Sequence, residues 1–165
     1  MDTGSYPPPS VSRFIEQEFV PARVNLISGD PSQAAGFHVL WTPCFLVLEG
    51  ERECYRNYGF LPAEDLSALL RIALGMRALG LGRYDEAAAW HHEAADGFSQ
   101  SPFRPQALYW EGVARYKQSG DFTAARDIWE RLAREAPAST WARRASFALR
   151  PHEAVSQTAT NPDNQ

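Results

Sequence analysis

Apolar residues in the first 59 positions follow a helical spacing in one stretch and a strand spacing in the next. The stretch "SVSRFIEQEF" places Val11, Phe14, Ile15 and Phe19 on one face of a predicted helix. The stretch "ARVNLI", at residues 22–27, alternates apolar with smaller or polar residues, which predicts a short strand. The stretch "DPSQAAGF", at residues 30–37, predicts a turn followed by a brief helix.

The next two stretches predict a β-hairpin from Cys44 to Tyr58. "CFLVL" is an uninterrupted apolar run, as expected of a strand that is covered on both faces. "EG" then turns the chain, and "RECYRNY" returns as a more polar strand. Pairing Leu48 with Glu51 sets Cys44 opposite Tyr55, a register in which Cys54 faces away from Cys44 and is no disulfide partner for it.

A long helix is predicted to begin at Pro62, in "LPAEDLSALLRIALGMRAL". Proline is tolerated at a helix start, and the helix dipole favours Glu64 and Asp65 in the first turn. Leucine and alanine form one apolar stripe, and Ile72, Met76 and Leu79 form a second on another side. We therefore expect this helix to be buried on two sides, as the joint between two modules.

The following helices repeat with a period of 38 residues. Two motifs recur at this offset: Gly82-x-Tyr84-x-x-Ala87 as Gly120-x-Phe122-x-x-Ala125, and Ser101-x-Phe103-x-x-x-Ala107 as Ser139-x-Trp141-x-x-x-Ala145. A fixed period of this kind indicates stacked helical hairpins, in which small residues allow close approach. Gly120 is predicted to end one helix and Asp121 to cap the next, and residues 140–149 would form a closing half-repeat.

Composition narrows the classes of function. A net charge of -4 argues against a general nucleic-acid binder, which needs a basic face. No run is long and apolar enough to span a membrane, and the first residues lack the features of a secretory signal. Two cysteines do not form a disulfide framework, so we expect a reducing cytoplasm. Residues 150–165 are polar and are expected to form a disordered tail.

The order of elements around "VLWTPCFLVLEGERECYRNYGF" resembles the second half of the thioredoxin fold. In that family a cis-proline begins the third core strand, which Pro43 matches. Gly50 matches the turn to the fourth strand, and Gly59 the glycine that ends it. Residues 77–149 resemble tetratricopeptide repeats of longer period. The combination is similar to the bacterial chaperedoxins, which guard unfolding clients.

The resemblance implies an α+β chain with three parts. These are an incomplete thioredoxin-like α/β domain at residues 1–76, tetratricopeptide-like α-helical hairpins at residues 77–149, and the tail. The Cys-x-x-Cys motif and the first core strand of the family are missing. Deleting a central strand leaves about 10 Å between its former neighbours, which no backbone hydrogen bond spans. The flanking strands could close together, another chain could donate a strand, or the gene product could start upstream of Met1; we favour the last.

Cys44 is the candidate for a reactive thiol, because it follows the proline that matches the family's active-site surface. A reactive thiol needs exposure and a positive or helix-N-terminal environment. The flanking residues supply no charge. A small side chain that fills a strand position is therefore the preferred interpretation of Cys44.

Peptide binding has better candidates in Trp41, Thr42 and Pro43. In thioredoxin relatives the loop before the cis-proline offers backbone groups to an extended peptide, and Trp41 adds a large apolar surface there. Packing of Trp41 on a neighbouring helix is an equal alternative. Trp110 and Lys117 lie on the face that lines the peptide groove in the repeat family.

Metal and cofactor sites are not predicted. His91 and His92 are adjacent, so on a helix they point about 100° apart and are interpreted as surface histidines. No Ser-His-Asp order, phosphate-binding glycine loop or paired-carboxylate geometry stands out in the sequence, and Glu64 and Asp65 are explained by the helix start.

The leading hypothesis is a non-catalytic, redox-silent interaction module that binds a peptide or protein partner. The alternative is a thiol-disulfide oxidoreductase or chaperedoxin whose cysteine pair lies upstream of this chain. A third is a scaffold that assembles as a homo-oligomer. No nucleic acid, membrane or cofactor is expected as a partner.

Overall fold

The computed structural model describes residues 8–26 and 36–149. In this part of the chain six helices and a two-stranded antiparallel sheet make an α+β fold. The elements in chain order are α1 (Pro9–Glu18), β1 (Cys44–Glu49), β2 (Arg52–Tyr58), α2 (Ala63–Gly80), α3 (Tyr84–Gly97), α4 (Arg104–Ser119), α5 (Thr123–Glu135) and α6 (Thr140–Leu149). The predicted helix within residues 30–37 lies outside the described residues except for residues 36 and 37, which belong to a turn, and the predicted tail lies outside them entirely.

The predicted strand at residues 22–27 does not form over its described part. Residues 22–26 have no strand pairing, and their side chains are exposed. A strand needs a neighbouring backbone to satisfy its N–H and C=O groups, and no described strand lies beside this segment. The alternating pattern by itself therefore does not produce a strand.

The predicted β-hairpin is confirmed, but its predicted register is wrong. Cys44 pairs with Tyr58 rather than Tyr55, and Glu49 pairs with Arg52. The turn therefore lies one position later than predicted. A bulge between Val47 and Leu48 leaves an extra residue in β2, which shifts the pairing further along the strands. Both cysteines are free, in agreement with the prediction that they do not pair.

Helix α2 is buried on two sides, as predicted. One side joins the cluster of Val11, Leu61, Leu66, Leu69 and Leu70, against which α1 and the hairpin pack. Ile72 joins a second cluster that extends through α3, α4, α5 and α6. The long helix is thus shared by the sheet and the helical hairpins.

The repeated motifs occupy equivalent places in the helical hairpins. Gly82 and Gly120 both have positive φ, 74° and 70°, and Ala87 and Ala125 are both fully buried. Gly120 ends α4, and the Asp121 carboxylate accepts a hydrogen bond of 2.8 Å from the Thr123 N–H at the start of α5. The predicted helix ends are confirmed, since left-handed glycine closes one helix and aspartate caps the next.

Candidate functional site

The open end of the hairpin brings the segment before β1 next to the segment after β2. The Thr42–Pro43 peptide bond is cis. The Gly59 N–H donates a hydrogen bond of 2.8 Å to the Pro43 carbonyl, which extends the hairpin pairing by one step. Gly59 has a φ of 97°, a conformation that L side chains rarely adopt.

Arg56 of β2 holds the loop before β1 at this end of the hairpin through hydrogen bonds. Its guanidinium donates to the carbonyls of Phe37 and His38, at 2.6 and 3.3 Å, and to the Tyr58 hydroxyl at 3.0 Å. The Glu53 carboxylate holds the same guanidinium at 2.5 and 2.9 Å, and this hydrogen bonding lowers the pKa of Glu53. The planar, five-donor group of arginine suits such multiple contacts. We call this set of contacts the Arg56 clasp.

The clasped loop presents large apolar side chains to solvent. Leu40 is 82% and Trp41 72% exposed, although the Leu40 N–H lies 3.4 Å from the Tyr58 hydroxyl. Phe60, just beyond the other strand, is 57% exposed. Neighbouring exposed apolar groups of this size are typical of interaction surfaces. We call Leu40, Trp41 and Phe60, together with Thr42 and Pro43, the hairpin-end surface.

The structure bears on one of the two interpretations of Trp41, its packing on a neighbouring helix, while peptide binding stays a prediction. Its exposure excludes packing on a neighbouring helix in this structure. Thr42 is exposed and Pro43 half-buried beside it. These three predicted residues therefore lie together at an accessible surface.

Cys44 is half-buried at the first position of β1. Burial raises the pKa of its thiol, and the nearby Arg56 charge opposes that rise only in part. A cysteine acts as a nucleophile or as a metal ligand in its thiolate form, and a raised pKa disfavours the thiolate. Cys44 is therefore a poor candidate for a reactive thiol or for a metal ligand at neutral pH.

Trp110 and Lys117 lie on α4, on a part of the fold different from the hairpin-end surface. Lys117 is exposed, but Trp110 is half-buried between the rings of Tyr109 and Trp141, at 5.4 and 6.3 Å between centroids. The indole N–H of Trp110 is buried without a hydrogen-bond partner among the described residues. Trp110 therefore contributes mainly to packing of α4 on α6.

The interpretation of His91 as a surface histidine is wrong. His91 is fully buried, whereas His92 is exposed as predicted. His92 Nδ1 lies 3.1 Å from the Glu111 carboxylate of α4, whose pKa burial raises. The adjacent histidines differ in exposure because successive residues on a helix point about 100° apart. Which of the two side chains faces α2 and α4, and is therefore buried, is decided by how the helices pack.

Sequence reasoning missed Leu40, Phe60 and the clasping role of Arg56. Phe60 carried a signal, since it is a large apolar residue directly after a turn glycine. No sequence signal pointed to Arg56. Its role depends on hydrogen bonds to the Phe37 and His38 carbonyls, and a sequence pattern does not show that these carbonyls lie near it.

Within the described residues, no three His, Cys, Asp or Glu side chains are grouped so that they could hold a metal ion. In the same part of the chain, the helices lack the combination of length and apolar character that crossing a membrane requires. Comparisons with protein families, with characterised proteins and with solved structures found no match for this chain.

Proposed function

We propose that this chain is a non-catalytic interaction module that holds an extended segment of a partner protein at the hairpin-end surface. The observation that carries the proposal is the exposure of Leu40 and Trp41 on a loop that the Arg56 clasp fixes in place, with Phe60 exposed just after β2 at the same end of the hairpin. A fixed loop loses little conformational freedom on binding, and a large aromatic ring contributes much contact area.

The resemblance to thioredoxin-like domains supports the same surface. In that family the loop before the cis-proline binds extended peptides, and here Trp41, Thr42 and Pro43 occupy that loop. The helical hairpins would then act as a support for the hairpin. Tyr55 contacts them directly, through a hydrogen bond of 3.1 Å from its hydroxyl to Gln106 of α4.

A redox-silent role fits the environment of the thiol at this surface. Burial raises the pKa of the Cys44 thiol and so disfavours the thiolate, which is the form that attacks a disulfide. A cytoplasmic location is part of this proposal, because a reducing compartment keeps both cysteines free.

Selection from a random-peptide library tests the proposal. Peptides enriched on the protein should bind the Trp41→Ala and Phe60→Ala variants at least about tenfold more weakly, because aromatic anchors dominate such interfaces. Val20→Ala is the matched control, since Val20 is 98% exposed on the segment after α1.

Equal binding of the selected peptides to all three variants would contradict the proposal. Turnover in an insulin-reduction assay by this polypeptide would contradict its non-catalytic part and favour an oxidoreductase instead.

A further inference from the structure

Three aromatic rings form a continuous row from α4, through the residue just before α5, to α6. The ring centroids of Tyr116 and Phe122 lie 5.2 Å apart, and those of Phe122 and Phe147 lie 6.0 Å apart. Tyr116 is 37% and Phe147 59% exposed. We call these three residues the aromatic ledge.

The ledge rests on a buried base. Trp129 is buried beneath it, with ring centroids 5.4 Å from Phe122 and 5.9 Å from Phe147. The Trp129 indole N–H donates a hydrogen bond of 3.0 Å to the Tyr109 carbonyl, which fixes the indole in position. The exposed rings are therefore held by packing from below.

Exposed cations flank the ledge. Lys117 follows Tyr116, Arg126 lies one helical turn after Phe122, and Arg143 one turn before Phe147. Within residues 8–26 and 36–149, none of these three cations forms an ion pair. Two other arginines of the same helices, Arg104 and Arg131, do form ion pairs with acidic side chains.

The charge around the ledge differs from one end to the other. Asp121 directly precedes Phe122 and keeps its negative charge, because the hydrogen bond from the Thr123 N–H lowers the pKa of its carboxyl group. Asp127 and Glu130 are exposed acids on α5, close in sequence to Arg126. Helix α6 has two exposed cations, Arg143 and Arg144, and no acidic residue, so the Phe147 end of the ledge is positive although the chain as a whole is acidic.

We propose that the aromatic ledge docks an acidic amphipathic helix of a partner protein. The two centroid separations are both close to the pitch of an α-helix, about 5.4 Å, so apolar residues one turn apart on such a helix meet successive rings. Acidic residues beside that apolar stripe then face Lys117, Arg126 and Arg143. This surface lies on α4–α6, so the proposal does not depend on the hairpin-end surface.

The chemistry favours a protein helix over a nucleic acid. Binding to a phosphate backbone draws most of its affinity from several cationic contacts, whereas the ledge offers three separated cations around an apolar row. The edge-to-face packing of its rings also favours aliphatic side chains over flat bases, because the Tyr116 and Phe122 planes meet at 73°.

The test uses the full chain and a fluorescently labelled synthetic helical peptide, with leucines one turn apart and glutamates flanking them. A second peptide carries glutamines in place of the glutamates. Fluorescence anisotropy should show tighter binding of the glutamate peptide, by about tenfold at low salt, with the difference shrinking at high salt. An oligothymidylate serves as the competing probe.

Two variants locate the binding site. Phe147→Ala should weaken binding of the glutamate peptide about tenfold, and Arg143→Gln about threefold. Their matched controls are Val20→Ala, an exposed apolar residue on the segment after α1, and Arg13→Gln, an exposed arginine on α1. Both controls should bind the glutamate peptide as the native chain does, because neither residue belongs to the aromatic ledge or to the hairpin-end surface.

Equal affinity for the two peptides, or no effect of Phe147→Ala, would overturn the proposal. So would competition by the oligothymidylate, or self-association of the native chain that Phe147→Ala abolishes. Circular dichroism verifies folding of each variant; if Phe147→Ala is misfolded, Arg143→Gln against Arg13→Gln decides the question.

Discussion

The imidazole ring of His91 lies directly against Gly75, so that a Cβ atom at position 75 would be only 2.5 Å from His91 Nε2. Gly75 is in the middle of α2 and His91 in the middle of α3. Both are buried, and neither ring nitrogen has a hydrogen-bond partner among the described residues. The absence of a side chain on one helix thus creates the space for a ring on the other.

The Gly75→Ala variant should lower the free energy of unfolding by about 1–3 kcal/mol, because overpacking at this contact outweighs the better helix propensity of alanine. Urea denaturation measures the change. Gly97→Ala is the matched control, since no atom lies within 4 Å of a Cβ there, and it should cause no loss. Equal effects of the two substitutions would show that the helices do not approach as closely as described.

Burial of His91 should make stability depend on pH. Burial lowers the pKa of His91 from 6.5 to about 3. A group whose folded pKa is lowered binds a proton on unfolding, so its contribution is fully present above pH 6.5 and is lost as the pH falls toward 3. The free energy of unfolding should decrease by about 1.4 kcal/mol for each pH unit below 6.5.

The measurement compares the native chain with His91→Leu between pH 7 and pH 5, by urea denaturation. The other three histidines are present in both proteins, so their titration cancels in the difference. The carboxyl groups of Glu49, Asp96, Asp121 and Glu135 have lowered pKa values and act mainly below this range. A slope that is the same in both proteins would contradict the burial of His91.

Replacing Arg56 by lysine should release the loop at residues 37–42 while keeping the positive charge. Lysine cannot donate to the Phe37 and His38 carbonyls, the Tyr58 hydroxyl and the Glu53 carboxylate at once. Hydrogen exchange at the amides of residues 37–42 should become at least several-fold faster. Arg52→Lys, in the same strand, is the control and should leave exchange of this loop unchanged.

Cys44 should react as a buried thiol. In a Cys54→Ser variant, alkylation by iodoacetamide should follow an apparent pKa above that of the same cysteine in urea, because burial raises the pKa of the Cys44 thiol. The urea-unfolded protein is the internal reference. An apparent pKa below that reference would indicate an activated thiol and would reopen the case for redox chemistry at this end of the hairpin.

The elements that the sequence predicted correctly are those whose cause is local. Apolar spacing identified α1 and α2, and Gly120 with Asp121 marked one helix end and the next helix start, because a left-handed turn and a cap involve only neighbouring residues. The two motifs that recur after 38 residues mark helix starts in the same local way, since α3 and α5 begin shortly after Gly82 and Gly120, and α4 and α6 shortly after Ser101 and Ser139.

Predictions that depended on contacts with residues distant in the sequence were wrong more often. The stretch at residues 22–27 has the pattern of a strand, but no described strand lies beside its residues 22–26. The register of the hairpin differs from the prediction because the turn lies one position later and a bulge adds one residue to β2, and alternation in β2 is too polar on both faces to fix the pairing. His91 was placed on the surface because its sequence neighbours do not show that Gly75 lies across from it.

For the hairpin-end surface, the sequence by itself determined the residue types: a tryptophan, a threonine and a proline before an apolar strand. Only the tertiary structure decided that Trp41 is exposed rather than packed, and that Leu40 and Phe60 are exposed at the same end of the hairpin. The physical reason is that local rules fix how each segment folds. Exposure depends on which segments the Arg56 hydrogen bonds and the packing on α2 bring together, and those contacts join residues far apart in the chain.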